Sequence, residues 1–172
     1  MIILTGQEPI IFTRRSIRQF AEKPVENEKM ERILRAGMQA PSARNRQPWE
    51  FLVITEPNDL KAIAGMSPNA KPAAQAAAAI IVLGNNNWQD PVWMPVDLSA
   101  CTQNILLQIV AEGLGAVWLG IYGYDDRMGN VSRYFQLPGH IMPFAIIALG
   151  YGVQENHFVD RFIPERAHYN KF

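Results

Sequence analysis

An α/β fold is predicted by the alternation of strand-like and helix-like segments along the chain. Residues 50–55, 80–84 and 144–150 are apolar and rich in β-branched side chains, as buried strands are. Around them, apolar residues recur at helical spacing. With 172 residues, 48% of them hydrophobic and 19% charged, the chain is long enough for a single globular domain over residues 1–172.

The first helix is predicted by apolar side chains three or four positions apart, which are Met30, Ile33, Leu34 and Met38. Acidic residues at 26 and 28 suit its N-terminus, and the helix ends near residues 37–41. The first strand follows at 50–55. A short helix over residues 60–64 comes next, and the alanine-rich segment 73–79 leads into the second strand.

Residues 97–112 predict a helix that is apolar on nearly every side, except for a stripe at Asn104, Gln108 and Glu112. Such a helix is buried all round, and in a chain this short a second subunit is a ready source of the extra cover. We expect a homodimer with this helix at its centre. A core helix inside a monomer fits the same pattern.

The region from Ile105 to Tyr122 is the longest apolar part of the chain, but polar residues and glycines interrupt it. We therefore expect a buried helix and the turn after it, and no membrane span. Gly113-Leu114-Gly115 ends the helix, and a further helix surrounds Val131. The last twenty residues, 153–172, are charged and aromatic, and we expect them to form a tail that wraps the partner subunit or the ligand site.

Charge and cysteine usage exclude several classes of function. Sixteen basic residues balance sixteen acidic ones, so no overall field attracts the chain to nucleic acid or to an anionic membrane. A single cysteine, Cys101, excludes an intrachain disulfide framework. The apolar start Met1–Leu4 is too short for a signal peptide, so a cytoplasmic location is expected.

Other common chemistries lack their motifs. The three histidines are scattered and have no cysteine at metal-ligand spacing, so no metal site is predicted. Gly113-Leu114-Gly115 follows a helix, whereas a dinucleotide fingerprint lies between a strand and a helix. No serine lies in a Gly-x-Ser-x-Gly elbow.

Two segments carry the functional signal. Arg14-Arg15-Ser16-Ile17-Arg18 holds three guanidiniums within five residues, which repel one another unless an anion such as a phosphomonoester lies between them. Residues 40–49 combine small side chains, amides and prolines, which is typical of a rigid loop that lays backbone groups against the edge of a heterocycle. Solvated surface and an ordinary turn are the alternative interpretations of each segment alone.

In this order, these segments resemble the FMN-dependent nitroreductases, in particular their short members of about 170 residues. The resemblance extends over almost the whole chain, and it rests on residues 14–20, 40–49, 97–104, 113–115, 118–120, 161, 165–166 and 168–169. It implies an α+β fold in which helices flank a central mixed, mostly antiparallel sheet. It also implies an obligate homodimer with two FMN molecules at the subunit interface.

The resemblance also implies roles for single residues. Arg14, Arg15 and Ser16 hold the phosphate and ribityl of FMN, Arg18 lies near N1 and O2 of the isoalloxazine, and Arg161 closes the phosphate site. The residues that reach the same FMN from the partner subunit are Pro41, Ser42, Ala43, Asn45 and Gln47. Backbone groups near N5 come from Leu119 and Gly120, and two further candidates of uncertain register are Asn69 and Lys71.

Val159 departs from the family pattern, since many relatives have a basic residue there. Neutralisation of the phosphate then depends more on the arginine-rich segment and on Arg161. The implied reaction is ping-pong: NAD(P)H reduces the flavin at N5, and a nitroaromatic, quinone or similar acceptor then takes the electrons. A flavin-binding redox sensor or cofactor store without turnover is the alternative, and a protein that binds another phosphate ligand is a weaker one. The physiological acceptor and the electron donor stay open. The roles of four aromatic residues also stay open, since packing in the core or at the dimer interface explains them as well as a place at the substrate mouth does. They are Trp88, Trp93, Tyr122 and Tyr124.

Overall fold

The computed structural model describes residues 10–172, and the chain start at Met1–Leu4 lies outside them. The helices are α1 (Ile10–Thr13), α2 (Asn27–Met38), α3 (Pro57–Gly65), α4 (Met94–Ala111) and α5 (Asp125–Tyr134). The strands are β1 (Trp49–Ile54), β2 (Ala78–Asn85), β3 (Gly115–Gly120) and β4 (Ile141–Gly150). Short 3-10 turns lie at Ala43–Asn45, Lys71–Gln75 and Pro164–Arg166.

The four strands form one sheet in the order β1-β2-β4-β3, and every neighbouring pair is antiparallel. The α/β fold expected from the alternation of segments is therefore wrong, because the strands of this sheet run antiparallel. The α+β fold implied by the resemblance is confirmed. A parallel bridge between Ser16 and Ala116 adds a short mixed element at the outer edge of β3.

Helices cover both faces of the sheet. Successive residues of a strand point to opposite faces, so Ile81 belongs to the core on the side of α3 and α5, whereas Ile80 belongs to the core on the side of α2 and α4. All eight residues of β2 are buried, because this strand lies inside the sheet and is covered on both faces.

The predicted helix over residues 97–112 is confirmed as α4, which begins three residues earlier. It ends at Ala111, and the turn after it contains Gly113, whose φ of 72° only glycine adopts easily. The Leu114 N–H donates to the Ile109 carbonyl across this turn at 3.0 Å. Residues 115–120, expected to be a turn, form β3 instead, because they pair along their whole length with β4.

The inner face of α4 packs on the sheet and contains Cys101, which is fully buried. Burial raises the pKa of the Cys101 thiol to about 12, so this thiol stays protonated and unreactive at neutral pH. Within residues 10–172, no helix has both the length and the apolar character needed to cross a membrane.

Candidate functional site

Three arginines from two distant parts of the sequence meet at one open cavity of about 620 Å³. Arg14 and Arg15 come from the arginine-rich segment, and Arg161 comes from the C-terminal tail. Phe12 and Phe162 are among the apolar residues that complete the lining. We call Arg14, Arg15 and Arg161 the three-arginine site.

The edge of the sheet fixes one side of this site. The Ile17 N–H donates to the Ala116 carbonyl of β3 at 2.9 Å, and the Ile17 side chain packs into the core. Gly115 permits this close approach, since a Cβ there would lie 2.8 Å from three carbons of the Ile17 side chain. The arginine-rich segment is thus held against β3 through its backbone and through Ile17.

The tail of the same chain fixes the other side. The Arg15 N–H donates to Oδ1 of Asn156 at 2.9 Å, and the Val159 N–H donates to the Phe12 carbonyl at 3.3 Å. The rings of Phe12 and Phe158 lie 6.0 Å apart. Residues 156–159 therefore run beside the arginine-rich segment and bring Arg161 to it. Asn156 has no sequence signal of its own.

The electrostatics of the three-arginine site favour an anionic ligand. Burial, followed by the neighbouring charges of Arg161 and Arg15, lowers the pKa of the Arg14 guanidinium. Within residues 10–172, none of the three arginines forms an ion pair. Arg15 donates to the carbonyls of Arg14 and Phe12 at 2.7 and 3.2 Å, while its buried Nε has no hydrogen-bond partner. The carboxylate of Asp160 also lines the cavity and offsets one of the three positive charges. A phosphate fits the positive charge that remains and the free donor capacity.

Leu119 and Gly120 lie at the far end of β3 from Ser16. The four steps from Ala116 to Gly120 span roughly 13 Å of strand at about 3.3 Å per residue. Gly120 is exposed, and space is open where its Cβ would lie.

Two further arginines contact backbone carbonyls in this region, Arg18 at Ser16 and Arg127 at Gly120. Arg18 is exposed, and its Nη1 donates back to the Ser16 carbonyl at 3.2 Å. Nη1 of Arg127 donates to the Gly120 carbonyl at 3.1 Å, and the guanidinium stacks 3.7 Å above the Tyr124 ring. Sequence reasoning missed Arg127, because an arginine in the first turn of an acidic helix has the pattern of ordinary surface charge.

The predicted loop, residues 40–49, has an unusual backbone in its central part, residues 42–47, which we call the 42–47 loop. Arg44, Asn45 and Gln47 have φ values of 56°, 53° and 49°, in the left-handed region that non-glycine residues seldom adopt. Such residues cost about 1 kcal/mol or more each, and the surrounding structure must hold them in place. One restraint is internal, since Oγ of Ser42 accepts the Gln47 N–H at 2.9 Å.

The second restraint comes from two buried side chains outside the loop. Oδ1 of Asp97 accepts a hydrogen bond from the Ala43 N–H at 2.9 Å. Oδ2 of Asp97 accepts a hydrogen bond from Nε2 of Gln89 at 2.6 Å. Nε2 of Gln89 also donates to the Ala43 carbonyl at 3.1 Å. We call these side chains, with the peptide groups of Ala43, the Asp97–Gln89 network. Gln89 carried no sequence signal, and Asp97 was recognised only as the first residue of the segment 97–104 that supports the family resemblance.

Within one chain, the 42–47 loop and the three-arginine site lie at opposite ends of α4. The loop contacts Asp97 in the first turn of α4. Ile11, which lines the three-arginine cavity, also borders a groove beside Leu107 and Ala111 in the last turns. The two ends are separated by roughly 15 Å of helix at about 1.5 Å per residue. The two halves of the predicted site are therefore separate in a single chain.

Among the other predicted residues, Trp88 lines a small pocket with Arg44 and Arg46 of the 42–47 loop. Asn69 and Lys71 are exposed, and the Asn69 N–H donates to Oγ of Ser67 at 3.3 Å. Neither residue lines the three-arginine cavity. The four aromatic side chains whose roles were left open are all exposed to a large extent, and they are Trp88, Trp93, Tyr122 and Tyr124. Within residues 10–172, no three His, Cys, Asp or Glu side chains are grouped as metal ligands.

Comparison with known proteins identifies a family. The model of the nitroreductase family matches residues 11–82 and 64–151. A protein of Archaeoglobus fulgidus, proposed to be an NADH dehydrogenase/NAD(P)H nitroreductase, is 37% identical over 169 residues, which cover 95% of this chain and 97% of that protein.

Solved structures agree with this comparison. The crystal structure of a proposed NADH oxidase from Clostridium acetobutylicum has a TM-score of 0.92 at 41% identity and covers 95% of this chain and 99% of its own. A proposed nitroreductase from Desulfovibrio desulfuricans, solved in complex with FMN, has a TM-score of 0.83 at 28% identity, with coverage of 97% and 99%. The predicted family is thereby confirmed.

Proposed function

Because the chain belongs to the nitroreductase family, we propose that it is a cytoplasmic, FMN-dependent oxidoreductase that uses NAD(P)H to reduce nitroaromatics, quinones or similar electron-poor acceptors. When bound, FMN supplies the redox chemistry: its N5 accepts hydride from the nicotinamide, and the electrons pass to the acceptor in a ping-pong sequence. The observation that carries this proposal is the convergence of Arg14, Arg15 and Arg161 on one cavity.

In this proposal the three-arginine site holds the phosphate of FMN. Guanidinium forks match phosphate oxygens in two-pronged hydrogen bonds, and a dianion offsets the repulsion among the three cations. Ser16, beside β3, faces the ribityl chain. Val159 brings no charge to the cavity that it lines, so Arg161 is the cation that the tail contributes.

Residues at the far end of β3 would hold the flavin ring. Backbone groups of Leu119 and Gly120 orient the N5 edge there, and the open space at Gly120 admits a flat ring without a side chain in the way. Arg18 supplies positive charge on the N1 and O2 side, which stabilises an anionic reduced flavin. Its exposed guanidinium must leave the Ser16 carbonyl to do so.

We further propose that the site is completed by a second copy of the chain. If two α4 helices pack antiparallel about a twofold axis, the 42–47 loop of one copy comes to the three-arginine site of the other. Pro41, Ser42, Ala43, Asn45 and Gln47 then reach FMN from the partner subunit. The separation of the loop from the arginines along α4 supports this arrangement.

An apolar groove supports the same arrangement. The groove has a volume of about 590 Å³, runs along the outer face of α4, and includes Ile10, Ile11, Ala36, Leu107 and Ala111 in its lining. In the tail, Phe162 is 71% exposed and Tyr169 is 82% exposed. We propose that the whole chain forms one domain. Its tail, residues 153–172, covers the partner subunit or the FMN site.

Sedimentation velocity tests the dimer. Ala36 is half-buried in the groove, and Ala62 on α3 is half-buried away from it. We expect a dimer in the wild type and in Ala62→Arg, and a monomer in Ala36→Arg, because a long side chain in place of the small Ala36 fills the groove and prevents close packing. A wild-type monomer, or a dimer in both variants, would contradict this part of the proposal.

An absorption spectrum tests the function. The protein is reconstituted with FMN, desalted and mixed anaerobically with NADH and then with NADPH. We expect retained flavin that is bleached by at least one nucleotide and recovers its colour when a quinone is added. The nucleotide that bleaches it identifies the donor.

The other outcomes separate the alternatives. Retained flavin that neither nucleotide bleaches would favour a redox sensor or cofactor store, or a protein electron donor. Absence of retained flavin would contradict the cofactor assignment and would leave another phosphate ligand as the occupant of the three-arginine site.

A further inference from the structure

Asp97 is a buried carboxylate without a compensating cation. It is 3% exposed, and no ion pair within residues 10–172 includes it. Burying a charge is costly unless hydrogen bonds satisfy it. Asp97 meets this condition with the Ala43 N–H, the Gln89 amide and a position in the first turn of α4, where the helix dipole favours a negative charge.

The Asp97–Gln89 network also fixes which group donates at each contact. Nε2 of Gln89 donates both to Asp97 and to the Ala43 carbonyl, and Oε1 of Gln89 accepts the Asp90 N–H at 3.0 Å. Rotating the Gln89 amide by 180° would oppose like groups at all three contacts. The network therefore specifies a single orientation for the Gln89 side chain and for both peptide groups of Ala43.

The residues held by this network immediately precede the strained part of the loop. Ala43 is followed by Arg44 and Asn45, both with positive φ, and then by Gln47, whose N–H returns to Oγ of Ser42. A non-glycine chain leaves such a conformation unless its neighbours restrain it. Most of the loop is exposed, so the buried anchor at Ala43 is its main connection to the core.

We propose that Asp97 and Gln89 are positioning residues that hold the 42–47 loop in the shape that contacts FMN. This inference rests on the proposed function, in which the loop reaches the cofactor of the partner subunit. Neither side chain touches FMN. They act through the backbone of Ala43, and the loop loses its binding shape when their hydrogen bonds are mismatched.

Reciprocal substitutions test the proposal. Asp97→Asn sets two amide donors against each other, and Gln89→Glu sets two carboxylates against each other. The double variant restores a donor and an acceptor between positions 89 and 97 in the reverse sense. We expect each single variant to bind FMN about tenfold more weakly than the wild type in a flavin fluorescence titration, because a buried polar group is left unpaired. We expect the double variant to bind more tightly than either single variant.

Limited proteolysis gives a readout that does not depend on FMN. Trypsin cuts after Arg44 or Arg46 when the loop is loose, and mass spectrometry identifies the cut. Without FMN, we expect faster cutting there in both single variants and slower cutting in the double variant. Thr102→Val is the matched control, since Thr102 is buried on the same helix and bonds only to the Leu98 carbonyl. It leaves cutting and FMN affinity unchanged.

The outcomes are distinct. Single variants that match the wild type in both measurements would overturn the proposal, and so would faster cutting with unchanged FMN affinity. If circular dichroism shows that the single variants do not fold, Gln89→Met, which keeps the shape and removes the hydrogen bonds, replaces them. A wild type that binds no FMN would refute the proposed function and the cofactor part of this inference, and the cutting rates would still decide whether the network holds the loop.

Discussion

At the three-arginine site, like charges converge and a buried donor is left over, whereas in the 42–47 loop each polar group of the Asp97–Gln89 network has a partner. The arginines are held by backbone contacts and packing around Ile17. The loop is held by hydrogen bonds to a buried carboxylate. The first region is thus suited to receive charge from a ligand, and the second is suited to keep a shape.

This difference predicts different responses to salt. Interactions between partly exposed charges weaken as ionic strength rises, whereas buried hydrogen bonds are screened much less. Changes at the three-arginine site are therefore expected to alter both the affinity for FMN and its salt dependence. Changes in the loop are expected to alter the affinity alone.

The largest effect is expected from Arg14→Ala. Charge-assisted hydrogen bonds contribute about 1.5–3 kcal/mol each, so we expect FMN to bind roughly 10-fold to 100-fold more weakly, with a shallower dependence on salt. Arg161→Ala is expected to behave similarly. Fluorescence titrations at low and high salt measure both quantities. Arg133→Ala, an exposed arginine on α5, is the control, and an equal loss there would refute a specific phosphate contact.

Gly115→Ala tests whether packing holds the arginine-rich segment. The new Cβ would lie 2.8 Å from the Ile17 side chain, which is 2% exposed and has little room to move. Overpacking of this kind costs about 1–3 kcal/mol, so the urea midpoint and the affinity for FMN both fall.

Gly120→Ala, at the open end of the same strand, serves as the stability control for Gly115→Ala. We expect its free energy of unfolding to change by less than about 0.5 kcal/mol. Equal destabilisation by the two variants would mean that contact with Ile17 is not what excludes a side chain at position 115.

The same comparison explains what the sequence could predict. Three arginines within five residues repel one another, and this is visible without any structure. Arg161 was joined to them only through the family resemblance. The loop was recognised by composition, but its anchors Gln89 and Asp97 lie 46 and 54 residues from Ala43, and no local pattern connects them.

Strand direction was hidden for a similar reason. A buried apolar strand has the same composition in a parallel and in an antiparallel sheet when both faces are covered, as in β2. The segment 115–120 is short and has a glycine at each end, and only its pairing with β4 makes it a strand. Element positions were therefore predictable, whereas pairing and long-range anchors were not.

Ser42→Ala is expected to have a smaller effect and to act on the loop alone. It removes the acceptor of the Gln47 N–H, in a hydrogen bond worth about 0.5–1.5 kcal/mol. We expect faster tryptic cutting in the loop and FMN binding that is weaker by about tenfold or less at every salt concentration. A change in the salt dependence would show that the two regions are not independent.

The smallest effect concerns Glu112, which lies at the C-terminal end of α4 and away from the loop. Hydrogen bonds from Arg32 and, to a lesser extent, from Gln108 lower the pKa of the Glu112 carboxyl from 4.5 to about 2. Since the pKa is lower in the folded state, this carboxylate stabilises the fold above pH 4.5, and its contribution is lost as the pH falls toward 2.

Urea unfolding at pH 5 and pH 3 measures this contribution. We expect Arg32→Ala to reduce the loss of stability between the two pH values, because the Glu112 pKa then returns toward its ordinary value. Arg35→Ala is the control, since it breaks an exposed ion pair with Glu31 on α2, the helix that also carries Arg32. It is expected to keep the wild-type pH dependence of stability. Because Glu112 does not contact the loop, tryptic cutting after Arg44 at neutral pH stays at the wild-type rate in Arg32→Ala. Faster cutting there would mean that the two ends of α4 are coupled within one chain.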